Sequence, residues 1–471
     1  MHRSILTAVF GSLLLSACGA GTEIGDEPTG EAQLRAVHAA PDAPAVDIYV
    51  AGEEQPLISN LAYGEATHYL TLPAGEYEIE IRAAGAGAAT DPVFTDIIAL
   101  QDGDRASAIA AGLLAASDPN SQFRLVALTE DFAAPAPGSA VVRVVHAGAD
   151  APAVGLDVGA DGSVEVTDLE RFTDTAAAGI ELPAGQSLRV GVTAGFPAAE
   201  VTTFSLPALT DGGEFLVIAT GLLSESATAE AGFSLLAVTP TATARVLQDP
   251  IVFALHASPD APAVDLFTPD TVLLQRNLSF GQLSAPIRVS PGSQSIDFWP
   301  AGIEHGAAPA ASGVTSELEP GAEYLVVATG FLAPAAGEAP FQLLTAEDEF
   351  DRADGLNARI RIVHASPNAP TVDVGPLGSH GLSALLVDDL PFSNSTQGKG
   401  ISVAPQAIDI GVADSSSGAV AASFAIEPAA GLRAFVVAAG ALGQGAGRAP
   451  FGLIVVDTAV FPWAATAVPA S

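Results

Sequence analysis

One thirteen-residue block occurs four times in this chain, and its spacing sets the architecture. It reads VHAAPDAPAVDIY from Val37, VHAGADAPAVGLD from Val145, LHASPDAPAVDLF from Leu255 and VHASPNAPTVDVG from Val363. Its histidines, His38, His146, His256 and His364, stand 108, 110 and 108 residues apart. Three further blocks follow each copy in the same order. The first copy carries LPAGEYEIEIR from Leu72, ASAIAAGLL from Ala106 and FRLVALTED from Phe123, and the other copies carry matching segments. A period near 108 residues is a domain length, far beyond the 20–45 residues of solenoid repeats, so each copy can enclose its own core.

The periodicity inside a copy is that of strands. In EYEIEIR, Tyr77, Ile79 and Ile81 alternate with Glu76, Glu78, Glu80 and Arg82, one face apolar and one polar. The third block is a continuous apolar run, as expected of a strand covered on both faces. Seven strand candidates fall in the first copy, at 33–38, 45–50, 66–72, 76–82, 93–100, 105–114 and 122–129. The expected fold is all-β: tandem immunoglobulin-like β-sandwich domains after a signal peptide and a flexible tether. The boundaries are read as 1–17 signal peptide, 18–32 lipidated tether, sandwiches at 33–132, 140–240, 249–347 and 358–457, and a 458–471 tail. Strung end to end, four such units would reach about 130 Å.

The four-block pattern, opened by H-A-[AS]-P-[DN]-A-P-x-V-D, resembles the bacterial family called domain of unknown function 4397 over nearly all of 33–457. The second copy departs from it, with Ala149 for the proline and Gly155 for the second aspartate. The resemblance implies a secreted β-rich module and brings no activity with it.

The N-terminus reads MHRSILTAVFGSLLLSAC. Arg3 and the amine form a short positive region, and Ile5 to Leu15 form an apolar stretch too short to span a bilayer with margin. Leu15-Ser16-Ala17-Cys18 resembles the bacterial lipobox, in which the thiol is acylated and the chain is cut just before it. The one cysteine of the chain falls at that place. Lipidation at Cys18 implies attachment to the membrane through the lipid. Gly19, where Asp marks inner-membrane retention, resembles an outer-membrane destination facing the periplasm or the cell surface.

With 17 basic and 54 acidic residues the net charge is −37, which repels nucleic acid and anionic headgroups. Calcium is the ion such carboxylates would suit, yet no segment matches an EF-hand loop, and no cofactor is expected. The motif itself raises a question of chemistry. A His four residues before an Asp suits metal binding or proton transfer. The residues concerned are His38 and Asp42, His146 and Asp150, His256 and Asp260, and His364 and Asn368. The His ends an inward row such as Val142, Val144, His146, and the Asp or Asn suits an Asx-type turn, so a structural clasp is the reading taken. By alternation Trp299 faces outward and is a candidate contact for a sugar or a partner. No G-x-S-x-G, H-E-x-x-H, Walker A or paired-cysteine pattern occurs. The chain therefore reads as a non-enzymatic, lipid-anchored envelope protein, a structural, binding or adhesion module for an envelope protein or glycan. The alternative is a periplasmic or surface hydrolase, or a carbohydrate-binding accessory to one.

Overall fold

The computed structural model describes residues 30–195, 197–303, 308–443 and 447–470. The signal peptide, Cys18 and most of the tether lie outside the described residues. Among those described there is no helix. The chain forms tandem all-β sandwiches, as its alternation predicts.

The first sandwich has eight strands: β1 (Glu31–Ala39), β2 (Val46–Val50), β3 (Ile58–Leu61), β4 (Leu70–Pro73), β5 (Gly75–Ala83), β6 (Phe94–Leu100), β7 (Arg105–Ala111) and β8 (Arg124–Thr129). They form two sheets, ordered β4-β1-β7-β8 and β3-β2-β5-β6. β1 and β7 run parallel, placing the first and third sequence blocks side by side. The remaining three units repeat this plan. An immunoglobulin constant domain sets four strands against three; here four face four. The strand added to the seven expected is β3. It lacks alternation because Asn60 sits at φ 53°, where β2 and β3 pair through a register shift.

Between the sheets, Leu34 and Ala36 of β1 and Ala106 and Ala108 of β7 meet Val46, Ile48, Ile79 and Ile81 of the facing sheet. The alternation read in β5 is realised, with Ile79 and Ile81 buried. The opposite face of β1 and β7 is buried too, but by another unit. Val37, Ala39, Ile109 and Ala111 pack against Val145, Ala147, Leu216 and Ile218 of the second sandwich. The third and fourth units pair in the same way, Phe253, Leu255, Leu325 and Val327 meeting Val363, Ala365, Phe435 and Val437. Each pair is thus four sheets thick, and this is what covers both faces of the continuous apolar runs.

Polar contacts across the first pair are reciprocal. Arg35, three residues before its motif histidine, donates to the Thr239 carbonyl of the second unit at 2.9 Å. Arg143, at the matching place, donates to the Thr129 carbonyl of the first at 2.5 Å. Arg361 reaches the Glu347 carbonyl of the third unit. The third unit has Phe253 in place of this arginine, and Phe253 stacks on Trp463 with ring centroids 4.3 Å apart. Trp463 leads into a strand, Ala464–Pro469, that extends the fourth unit's sheet. The segment read from sequence as a tail is therefore built into the core. A matching fifth strand, Thr243–Val246, occupies the junction before the third unit. Because the units meet face to face in pairs, the four are not strung end to end.

Candidate functional site

The repeated histidine ends the inward-facing row of β1 and its three counterparts. All four rings are buried, at 2% exposure or less. Nε2 meets a proline carbonyl six residues on: Pro44 at 3.0 Å, Pro152 at 2.8 Å, Pro262 at 3.0 Å and Pro370 at 2.9 Å. A carbonyl only accepts, so Nε2 carries the proton and donates. Nδ1 accepts from the backbone N–H two residues on in three copies, from Ala40 and Gly148 at 3.3 Å and Ser366 at 3.4 Å. Aromatic edges close the ring in, from Tyr63 at 6.1 Å, Phe280 at 6.2 Å and Phe392 at 6.0 Å. Burial is the largest influence on all four rings and pushes each below the ordinary histidine range. A neutral ring, bonded to its own turn, ties the strand end to the Pro-rich loop.

The first aspartate of the motif does not bond its own turn as the Asx reading expected. It reaches 72 to 74 residues along the chain to the loop after the third block. Asp42 accepts from Leu114 and Ala115 N–H, both at 2.9 Å. Asp150 accepts from Leu223 at 2.8 Å and Ser224 at 3.0 Å. Asp260 accepts from Leu332 at 2.7 Å and Ala333 at 2.9 Å. Asn368 has only one acceptor oxygen; it accepts from Leu442 N–H and donates its amide to the Leu442 carbonyl, both at 2.9 Å. The parallel pairing of the two strands delivers that loop beside the motif, and no local sequence signal announces it.

Asp260→Ala is accordingly expected to destabilise the chain by about 1 kcal/mol, since two backbone N–H groups, one half-buried and one exposed, lose a charged acceptor. Asp260→Asn should cost well under half as much, because the amide can adopt the Asn368 arrangement. Denaturant unfolding followed by tryptophan emission reads both, and equal losses for the two variants would count against the clasp.

The second aspartate secures the other sheet. Asp47 accepts from Asn60 and Gly85, both at 2.8 Å, and Asp265 from Asn277 at 2.7 Å and Gly302 at 3.3 Å. Asn60, Asn277 and their counterparts Asp168 and Asp389 all have φ between 49° and 53°, a conformation that Asn and Asp tolerate best after glycine. These residues were missed from sequence; their signal is an Asn or Asp immediately before a leucine, twelve to sixteen residues past the motif aspartate in the first, third and fourth copies. In the second copy Gly155 replaces that aspartate, and a Cβ there would lie 2.5 Å from Thr193 Oγ1.

This bond also corrects the reading of Trp299. Trp299 does point away from the sandwich core, yet it is only 9% exposed. It pairs with Asp265 across the sheet, as Arg82 pairs with Asp47. In both copies the aspartate also binds an N–H just past that strand, Gly85 or Gly302, and the indole is buried rather than offered to a ligand. Among the described residues one carboxylate cluster has ligand-like proximity: Asp373, Asp388 and Asp389, with oxygens within 4.8 Å of one another. Three carboxylates carry six oxygens, the low end of what calcium takes, and one of them, on Asp373, is already bonded to Asp389 N–H at 2.9 Å.

Comparison with known proteins places these motifs in a family. The family described as "Domain of unknown function (DUF4397)" matches residues 32–159 and 251–375. Each match starts at a motif-bearing strand and runs into the following unit. No curated protein matches the chain. Among solved structures the chain is similar to "The Bacillus anthracis TIE protein", at 11% identity over 63% of this chain and 50% of that one, with a TM-score of 0.14. The chain thus aligns with about half the length of that protein, a likeness too slight to bear on activity.

Proposed function

The chain belongs to the DUF4397 family, and on that premise we propose that it is a lipid-anchored, non-enzymatic cell-envelope protein whose paired sandwiches form a stiff structural and binding module. The observation that carries this reading is how the repeated polar residues are spent. Each motif histidine is buried against a proline carbonyl, and each first aspartate or asparagine bonds backbone N–H of a distant loop. Residues engaged in holding the fold in four copies leave the outer sheets and connecting loops as the surfaces that meet a partner. With net charge −37, such surfaces suit an envelope protein or a neutral or cationic glycan, and not nucleic acid. Lipid at Cys18 would hold the pairs at the outer membrane.

The test joins anchoring to activity. Cells fed labelled palmitate are expected to label the wild-type chain and leave it in the membrane fraction, while Cys18→Ser is unlabelled and soluble. Label retained by the variant would overturn the anchor. Turnover of a glycan, peptidoglycan or ester substrate by the purified chain would overturn the non-enzymatic reading.

A further inference from the structure

The fourth sandwich differs from its three sisters in one physical respect. Between its sheets lies an apolar cavity of about 330 Å³, where the interior spaces of the first, second and third measure about 20, 50 and 20 Å³. Its walls are branched aliphatic side chains, among them Ile362, Val374, Ile410 and Val436. The one histidine on the wall, His364, has both nitrogens bonded.

We infer that this cavity is a binding site for one uncharged aliphatic molecule of about ten to fourteen heavy atoms, a size set by comparison with the roughly 150 Å³ apolar cavity that accepts benzene. Water finds no hydrogen-bond partners on such walls. Besides the hydroxyl of exposed Thr466 and the bonded His364, the walls carry no side-chain donor for a polar head. At the mouth, exposed Glu427 stands on a strongly acidic chain, so a carboxylate head is disfavoured and a hydroxyl or hydrocarbon end is accepted. This inference is independent of the anchoring proposal.

Calorimetric titration of the full chain carrying Cys18→Ser, so that no acyl group of its own competes, tests it with n-decanol and decanoate. Decanol is expected to saturate one site per chain, with decanoate at least tenfold weaker. Glu427→Gln should narrow that gap. Ile410→Phe fills the cavity from its own wall and should abolish decanol binding while the chain stays folded; Val436→Phe serves if that variant does not fold. Absence of saturable decanol binding, equal affinity for decanoate, or binding undiminished in a folded filled variant would each overturn the inference.

Discussion

Replacing Glu130 with alanine is expected to destabilise the first pair of sandwiches by about 3–5 kcal/mol, the usual cost of stranding one partner of a buried ion pair. The side chains of Glu130 and Arg35 are 1% and 2% exposed. The carboxylate receives Arg35 Nε at 3.0 Å and Nη2 at 2.9 Å, Tyr69 hydroxyl at 2.7 Å and the Ser107 hydroxyl. Burial and the bond to Glu130 together push the Tyr69 phenol above its usual range. Without the carboxylate, Arg35 keeps its Nη1 bond to the Thr239 carbonyl of the second unit, and its charge stays buried without a counter-ion. Because that bond crosses the pair, the damage should reach the interface as well as the first core.

The readout is unusually local. Four of the five tyrosines, Tyr49, Tyr63, Tyr69 and Tyr77, lie in the first sandwich, whereas Tyr324, Trp299 and Trp463 lie in the second pair. Urea unfolding followed by tyrosine emission should shift in Glu130→Ala, and the tryptophan transition should hold still. The double variant Arg35→Met with Glu130→Leu is expected to recover most of the loss, since apolar replacement of a buried pair is often neutral or better. Equal movement of both transitions, or a loss under 1 kcal/mol, would defeat this account of the network.

Acidification is the second large effect. Each motif histidine is held neutral by burial, so its folded value lies below the unfolded 6.5. Between those values the unfolded chain binds more protons, and stability therefore rises with pH. The stabilisation is complete above about pH 6.5 and drains away as pH falls below it, at up to about 1.4 kcal/mol per pH unit for each histidine. Glu65 beside His38 opposes the depression, and so does Glu170 beside His146, where Arg171 adds to it; burial outweighs them. In the third unit Glu323 and Glu347 are pushed up by burial, which works in the opposite direction as pH falls. Both pairs, each holding two such histidines, should therefore lose stability as pH falls from 7.5 to 5.5. His38→Gln should lower stability at pH 7.5 and flatten that slope. A profile level across the range would sink the clasp's dependence on neutral imidazole.

Alternation in segments such as Tyr77–Arg82, turn-rich gaps and a period near 108 were enough to read four all-β sandwiches and the buried ends of their histidine-bearing strands. The local hydrogen bond from each ring to its own turn lies within that reach, because six residues separate its partners. What stayed hidden depends on contacts far apart in the chain. A hydrophobic run reports that a face is buried and not by what, so Val37 and Ile109 gave no hint that a second sandwich covers them. Asp42 carries no mark of a partner 72 residues away, since parallel pairing of β1 with β7 brings that loop near. Trp299 alternates outward, and its burial is set by contacts that alternation does not report. The chain's periodicity alone determined the sandwiches; their pairing, and the cavity between the sheets of the fourth, were decided by packing between elements that local pattern does not join.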